Sequence, residues 1–141
     1  METYLLDTNV LLRFLRQDDP AMGAAARRLF QAAALGEVSL VLEEAILAEA
    51  VYVLQSMYKQ GRSEIADALQ ALLRRAPAIQ SKRPTVLHDA LERYRRHSQV
   101  DFADALLAAL AVDGKIPVAS FDRDLDRFGD VIRFEPPAPA I

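Results

Sequence analysis

The 141-residue sequence contains no cysteine and only two histidines, His88 and His97. These absences exclude a disulfide framework and a thiolate metal site, and two histidines are too few for a histidine-built site. Any metal would therefore be a hard cation bound by oxygen ligands. The chain also lacks a run of about 18 apolar residues and begins with a strand pattern rather than a basic leader, so we expect a soluble, cytoplasmic protein without a membrane span.

An excess of basic charge is missing as well. Seventeen Lys and Arg against twenty Asp and Glu give a net charge of −3. The chain as a whole therefore has no net positive charge that would attract nucleic acid. Basic side chains are nevertheless clustered locally, in the run RYRRH and in an early group of arginines. Each cluster is either a solvated helix face or a set of phosphate contacts. The candidate RNA contacts are Arg13, Arg93, Arg95 and Arg96.

Strand patterns alternate with helix patterns along the chain. Strands are predicted at 3–6, 38–42, 116–120 and 131–134, and helices at 10–15, 20–35, 44–58, 63–75, 84–96 and 101–113. This alternation predicts an α/β protein, a three-layer α/β/α sandwich with a mostly parallel sheet. We expect one domain over residues 1–135, followed by a Pro/Ala-rich tail at 136–141.

Several residues predict where helices begin and end. Asp19 before Pro20 is typical of an N-cap, and Ser63 is expected to cap the fourth helix. Gly36 is expected to end the second helix, and Gly114 is predicted to be a left-handed C-cap of the last one.

Aspartates follow two of the predicted strands. Asp7 comes directly after the first strand, and Asp122 comes two residues after the strand that ends at Ser120. In open parallel sheets, ligands bind beyond the carboxyl ends of the strands. Asp7 is therefore a candidate metal ligand, although a helix cap or a buried salt-bridge partner would also explain it. For the later loop, Asp124 is the alternative to Asp122.

Other acids stand among apolar residues on predicted helices. Glu49 lies within EAILAEAVYVL, where burial of an unpaired carboxylate is costly, so it needs either a distant arginine or a functional role. Asp101 and Asp104 begin the last long helix, where they fit an N-cap and its N3 companion. The apolar surroundings also suit carboxylates that are held ionised and directed at a cleft.

Four such acids in one cleft require neutralisation. Two unit charges about 4 Å apart repel by about 4 kcal/mol at an effective dielectric constant of about 20. Protons or a divalent cation would relieve this repulsion, and oxygen-only ligands favour Mg²⁺ or Mn²⁺ over zinc. A metal bound in this way can activate water for phosphodiester hydrolysis.

Four segments together resemble the motifs of PIN-domain ribonucleases, specifically the VapC toxins of toxin–antitoxin pairs. They are LLDTNVLLR at 5–13, LAEAVYVL at 47–54, DFADALLAA at 101–109 and ASFDRDLDRF at 119–128. The resemblance implies a PIN-like fold and a Mg²⁺- or Mn²⁺-dependent endoribonuclease. Its catalytic and metal-binding acids would be Asp7, Glu49, Asp104 and Asp122, with Asn9, Asp101 and Ser120 in support.

The resemblance also implies a homodimer and a cognate antitoxin. A catalytically silent PIN module that binds RNA or protein is the alternative. A phosphoacceptor receiver or an aspartate-nucleophile phosphatase also places acids at strand ends. The phosphatase needs a second aspartate where this chain has Asn9, and the acidic pair and late lysine of a receiver are not in their expected positions.

Overall fold

The computed structural model describes residues 1–139 and divides the chain into two compact units. The N-terminal unit spans Met1–Pro84 and the C-terminal unit spans Thr85–Ile141. The last two residues of the predicted Pro/Ala tail, Ala140 and Ile141, lie outside the described residues, and 135–139 form no helix or strand.

The N-terminal unit contains three strands and four helices. In chain order they are β1 (Glu2–Leu5), α1 (Thr8–Arg16), α2 (Pro20–Ala34), β2 (Val38–Val41), α3 (Glu44–Ser56), α4 (Arg62–Leu73) and β3 (Ile79–Gln80). The strands form one parallel sheet in the order β1-β2-β3. Glu2 is paired with Val38 and Leu40 with Ile79, so the carboxyl ends of all three strands point in one direction. The two-residue strand β3 is absent from the prediction.

Apolar helix faces form the core of this unit. Helix α1 packs on α2 and α3, and α3 packs on α4. The largest fully buried side chains include Leu11 of α1, Leu40 of β2 and Leu47 of α3. Phe14 and Phe30 stack with ring centroids 3.9 Å apart and fix α1 against α2. These contacts hold the first turn of α1, which follows Asp7, in a defined position.

The C-terminal unit contains two helices, two short strands and a 3₁₀ helix. In chain order they are α5 (Pro84–Arg96), α6 (Phe102–Gly114), β4 (Val118–Ala119), the 3₁₀ helix (Arg123–Arg127) and β5 (Arg133–Phe134). Strands β4 and β5 pair in parallel, with Val118 opposite Arg133. One core cluster comprises Val100, Ala108, Val118, Leu125 and Phe128. Leu125 anchors the 3₁₀ helix that follows Asp122.

The predicted α/β class is confirmed, because helices alternate with strands and every described strand pair is parallel. The structure differs from the prediction in having a three-stranded and a two-stranded sheet. No helix within residues 1–139 is long and apolar enough to cross a membrane.

The predicted helix ends are correct at three positions. Asp19 is the N-cap of α2 and accepts a hydrogen bond from the backbone of Met22. Asp101 is the N-cap of α6 and accepts one from the backbone of Asp104. Gly36, after α2, has φ +78°, a conformation that glycine adopts without steric cost.

Two predicted caps are wrong. Helix α4 begins after Gly61, without a side-chain cap, so Ser63 lies inside the helix. The left-handed residue after α6 is Lys115, with φ 54°, while Gly114 is the last helical residue. Both errors shift a helix end by only one or two residues, which is the ordinary uncertainty of such boundaries.

Candidate functional site

In the N-terminal unit, the candidate site begins at the end of β1. Asp7 follows the buried Leu6 and is the N-cap of α1, with extended backbone angles of φ −87° and ψ 151°. Its Oδ1 accepts a hydrogen bond of 2.9 Å from the backbone amide of Thr8. The carboxylate is solvent-exposed. The helix-cap interpretation of Asp7 is therefore correct, and the cap leaves the second oxygen of the carboxylate available to a ligand.

Glu49 is linked to the same helix start. Its Oε2 accepts a hydrogen bond of 2.6 Å from the hydroxyl of Thr8, across 41 positions of sequence. Thr8 is itself buried, with 6% of its surface exposed. One residue thus binds both acids, the carboxylate of Asp7 through its amide and that of Glu49 through its hydroxyl. The sequence prediction missed Thr8, although a polar residue between Asp7 and an apolar run was a usable signal.

The surroundings of Glu49 differ from the prediction. The side chain was expected on a buried apolar face, but Glu49 is exposed and its neighbour Tyr52 is 69% exposed. The apolar sequence around Glu49 was misleading because α3 is hydrophobic on nearly all sides. The distant arginine offered as an alternative is also missing. Among the described residues, no Arg, Lys or His forms an ion pair with Asp7 or Glu49.

Asn9 lies in the first turn of α1 and is exposed. Together with Val10 and Arg13 of α1 and Met22 and Leu29 of α2, it lines a cavity of about 290 Å³. The wall is largely apolar, with the amide of Asn9 and the guanidinium of Arg13 as its polar members. The supporting role predicted for Asn9 stays a prediction.

In the C-terminal unit, two acids meet at the start of α6. Asp101 caps the helix, and its Oδ1 accepts a hydrogen bond of 2.9 Å from the amide of Asp104. Asp104 is half-buried. Burial raises the pKa of the Asp104 carboxyl, and the negative charges of Asp101 and Asp122 raise it further. This carboxylate therefore lies in surroundings that penalise its charge, which is the condition under which a cation binds.

Asp122 is presented by the loop after β4. Its amide donates a hydrogen bond of 2.9 Å to Oγ of Ser120, and its Oδ1 accepts one of 2.9 Å from the amide of Asp124. Asp122 is thereby the N-cap of the 3₁₀ helix. Ser120 thus contacts Asp122 directly, and its predicted support of a metal ligand stays a prediction.

Asp124 is engaged elsewhere. Its Oδ1 accepts a hydrogen bond of 3.1 Å from Nε of Arg127, so this acid has a cationic partner. No described cationic side chain pairs with Asp122 or Asp104. Of the two acids in this loop, Asp122 is therefore the better candidate ligand.

The predicted RNA contacts are occupied by carboxylates of the protein. Arg93, whose side chain is 12% exposed, bonds Asp89 and Asp130, and these partners raise its pKa. Arg95 and Arg96 both bind Glu92, at 3.2 and 2.9 Å. This pairing favours a structural role for the RYRRH cluster, and its contact with RNA stays a prediction.

Arg13 is less fully engaged than that cluster. Its Nη1 lies 3.4 Å from Asp18, and its buried Nε has no hydrogen-bond partner.

The acids fit a hard divalent cation by the chemistry of their donors. They offer carboxylate oxygens only, and no described cationic side chain competes for any of the four. Within residues 1–139, no group of three or more acidic or histidine side chains is arranged to hold a metal ion. Mg²⁺ does not require such a cage, because it commonly binds through one or two carboxylates and keeps several waters.

The family model described as "PIN domain" matches residues 4–131, nearly the whole chain. The chain belongs to the PIN domain family. PIN domains are generally nucleases that act on RNA or DNA and typically use divalent metals, and the matched residues include all four candidate acids. No curated protein matches the chain.

Proposed function

We propose that this PIN domain is a Mg²⁺-dependent endoribonuclease and the toxin of a type II toxin–antitoxin pair. In this proposal its substrate is RNA, its inhibitor is a cognate antitoxin protein, and it acts as a homodimer in the cytoplasm. The VapC-like motifs in the sequence support the toxin assignment, and family membership supports the nuclease assignment.

The observation that carries the metal assignment is the pair of hydrogen bonds at Thr8. The buried residue Thr8 holds the carboxylate of Asp7 through its amide and that of Glu49 through its hydroxyl, and no described cation pairs with either of them. Both hydrogen bonds also stabilise the metal-free protein, but they leave each carboxylate oriented and without a cationic partner. Oriented, unpaired carboxylates are what a hard cation requires of its ligands and of the residues behind them.

The acids of the C-terminal unit support the same assignment independently. Asp104 experiences both partial burial and the repulsion of its acidic neighbours. The amide of Asp122 donates to Oγ of Ser120, its carboxylate accepts from the amide of Asp124, and it is not ion-paired within the described chain. A bound cation would convert this repulsion into attraction.

We assign roles accordingly. Asp7, Glu49, Asp104 and Asp122 are the proposed metal ligands, Thr8 and Ser120 position two of them, and Asp101 fixes the start of α6. When bound, Mg²⁺ would supply positive charge at the phosphate and make a water molecule more acidic. Arg13, whose side chain is 29% exposed and lies 3.4 Å from Asp18, is the proposed phosphate contact.

The decisive experiment is RNA cleavage by the purified chain. We expect products from single-stranded RNA with Mg²⁺ and none with EDTA. Asp104→Asn should abolish cleavage while circular dichroism shows a folded protein, and Asp113→Asn on the same helix is the matched control. A folded Asp104→Asn variant that cleaves as fast as the natural sequence would contradict the proposed site.

The toxin assignment has its own test. Induced expression of the chain alone should arrest growth of a bacterial host, and Asp7→Asn should relieve the arrest at equal protein level. Mapping the RNA ends that accumulate after induction would identify the substrate. RNA cleavage in vitro without any growth arrest would support the nuclease assignment and contradict the toxin assignment.

A catalytically silent PIN module is the second candidate. It is favoured by the lack of any three-ligand metal group among residues 1–139. Such a module would bind RNA or a protein without Mg²⁺, and its affinity would be unchanged by EDTA. The cleavage assay therefore separates the two candidates.

A further inference from the structure

Arg133 of β5 donates hydrogen bonds to three different residues of the C-terminal unit. Its side chain is 12% exposed. Nε and Nη2 form a two-pronged contact with the carboxylate of Asp126, at 2.8 and 3.1 Å. Nη1 donates to the backbone carbonyl of Ser120 at 3.0 Å and to Oε1 of Glu135 at 2.9 Å. A single guanidinium thus joins β5 to both ends of the segment 120–126.

Asp122 lies within the segment that Arg133 closes. Ser120 holds the amide of Asp122 through its hydroxyl, while its carbonyl is held by Arg133. At the other end, Asp126 belongs to the 3₁₀ helix that Asp122 caps. The direction of the Asp122 carboxylate therefore depends on two anchor points that share Arg133.

We propose that Arg133 is a positioning residue for Asp122. The inference rests on the proposed function, because it assumes that Asp122 binds a metal. Arg133 provides positive charge to the loop without pairing with Asp122 itself, since its partners are Asp126 and Glu135. It therefore orders the loop and leaves the carboxylate of Asp122 free of a competing cation.

Only a guanidinium satisfies all of these contacts. Its planar fork binds a carboxylate with two parallel hydrogen bonds and retains a further donor for the Ser120 carbonyl. A lysine ammonium provides charge but cannot span both anchor points. Residues that orient metal ligands typically contribute about 10- to 100-fold to metal affinity or activity.

The experiment compares Arg133→Met and Arg133→Lys with Arg127→Met in the full chain. Arg127 is a matched control because it pairs with Asp124 in the same loop but has no contact with Ser120. Mn²⁺ binding is measured by electron paramagnetic resonance, and cleavage of single-stranded RNA gives kcat and KM.

We expect Arg133→Met to weaken Mn²⁺ binding and lower kcat by roughly tenfold or more, with KM changed less than about twofold. Arg133→Lys should lie between this variant and the natural sequence. Arg127→Met should change each quantity by less than about twofold.

A double variant tests whether Arg133 acts through Asp122. In an Asp122→Asn background, Arg133→Met should cause little further loss of Mn²⁺ affinity, because residues that act as a unit are not additive. Equal losses in both backgrounds would overturn the inference, as would equal effects of Arg133→Met and Arg127→Met. If Arg133→Met does not fold, Asp126→Asn removes the two-pronged partner and is judged by the same criteria.

The two proposals fail in different ways. A natural chain that neither binds Mn²⁺ nor cleaves RNA overturns the proposed function and this inference with it. A natural chain that does both, with an Arg133→Met variant that is unchanged, overturns the inference alone.

Discussion

Replacing Thr8 with valine tests the N-terminal half of the candidate site. Valine keeps the shape and branching of threonine but removes the hydroxyl that donates to Glu49 at 2.6 Å. Hydrogen bonds to charged groups contribute about 1.5 to 3 kcal/mol to stability. Because Glu49 is exposed, water can replace the lost donor. We therefore expect the low end of this range, a loss of about 1.5 kcal/mol in the free energy of unfolding.

The loss should be visible in thermal melts followed by circular dichroism with EDTA present. For a chain of this size, it corresponds to a fall in Tm of about 3 to 6 °C. Thr8→Ser is the matched control because it keeps the hydroxyl, so its Tm should fall less. The same Thr8→Val variant should lower kcat for RNA cleavage by roughly tenfold if Glu49 binds metal.

A double-mutant cycle with Glu49→Gln isolates the contact. We expect a coupling energy of about 1 kcal/mol between the two positions, in the range found for residues in direct contact. Additive effects of the two substitutions, or equal losses for Thr8→Val and Thr8→Ser, would refute the reasoning. Thr8 would then stabilise α1 by packing alone and would not position Glu49.

Three further outcomes are expected. Burial and neighbouring acids raise the pKa of Asp104, so its negative charge opposes folding. The free energy of unfolding should therefore fall as the pH rises from the pKa of Asp104 in the unfolded chain through its higher pKa in the folded chain. Asp104→Asn should flatten this slope in melts without metal and leave the neutral-pH Tm unchanged or higher; a large drop would indicate a missed structural partner. Mg²⁺ at about a hundredfold excess over its dissociation constant should stabilise the natural chain by about 2.7 kcal/mol, and Asp7→Asn by less; an equal response would exclude Asp7 as a ligand. Replacing Arg93, Arg95 and Arg96 together with alanine should lower the Tm, since all three form ion pairs, and leave the salt dependence of RNA binding unchanged. A slope reduced by about 0.7 per lost contact would instead assign these arginines to RNA phosphates.

Local sequence determined the elements that carry the candidate site. The α/β alternation and the caps at Asp19 and Asp101 were predictable because an N-cap depends on residues only two or three positions away. The candidate acids were equally visible, since a carboxylate after a strand or at a helix start is a local feature. β3 was missed because two residues carry no measurable periodicity.

Tertiary structure decided which partners those acids have. The hydrogen bond from Thr8 to Glu49 spans 41 positions, and the contact from Arg133 to Ser120 spans 13. Nothing in either local segment specifies such a partner, because it depends on how a helix packs or a strand pairs. For the same reason, the sequence could not show that Glu49 is exposed or that Arg93 is held by Asp130, 37 residues away. Candidate metal ligands can be predicted from residue types and spacing, whereas the exposure of a side chain and the identity of its partners are set only when the chain folds.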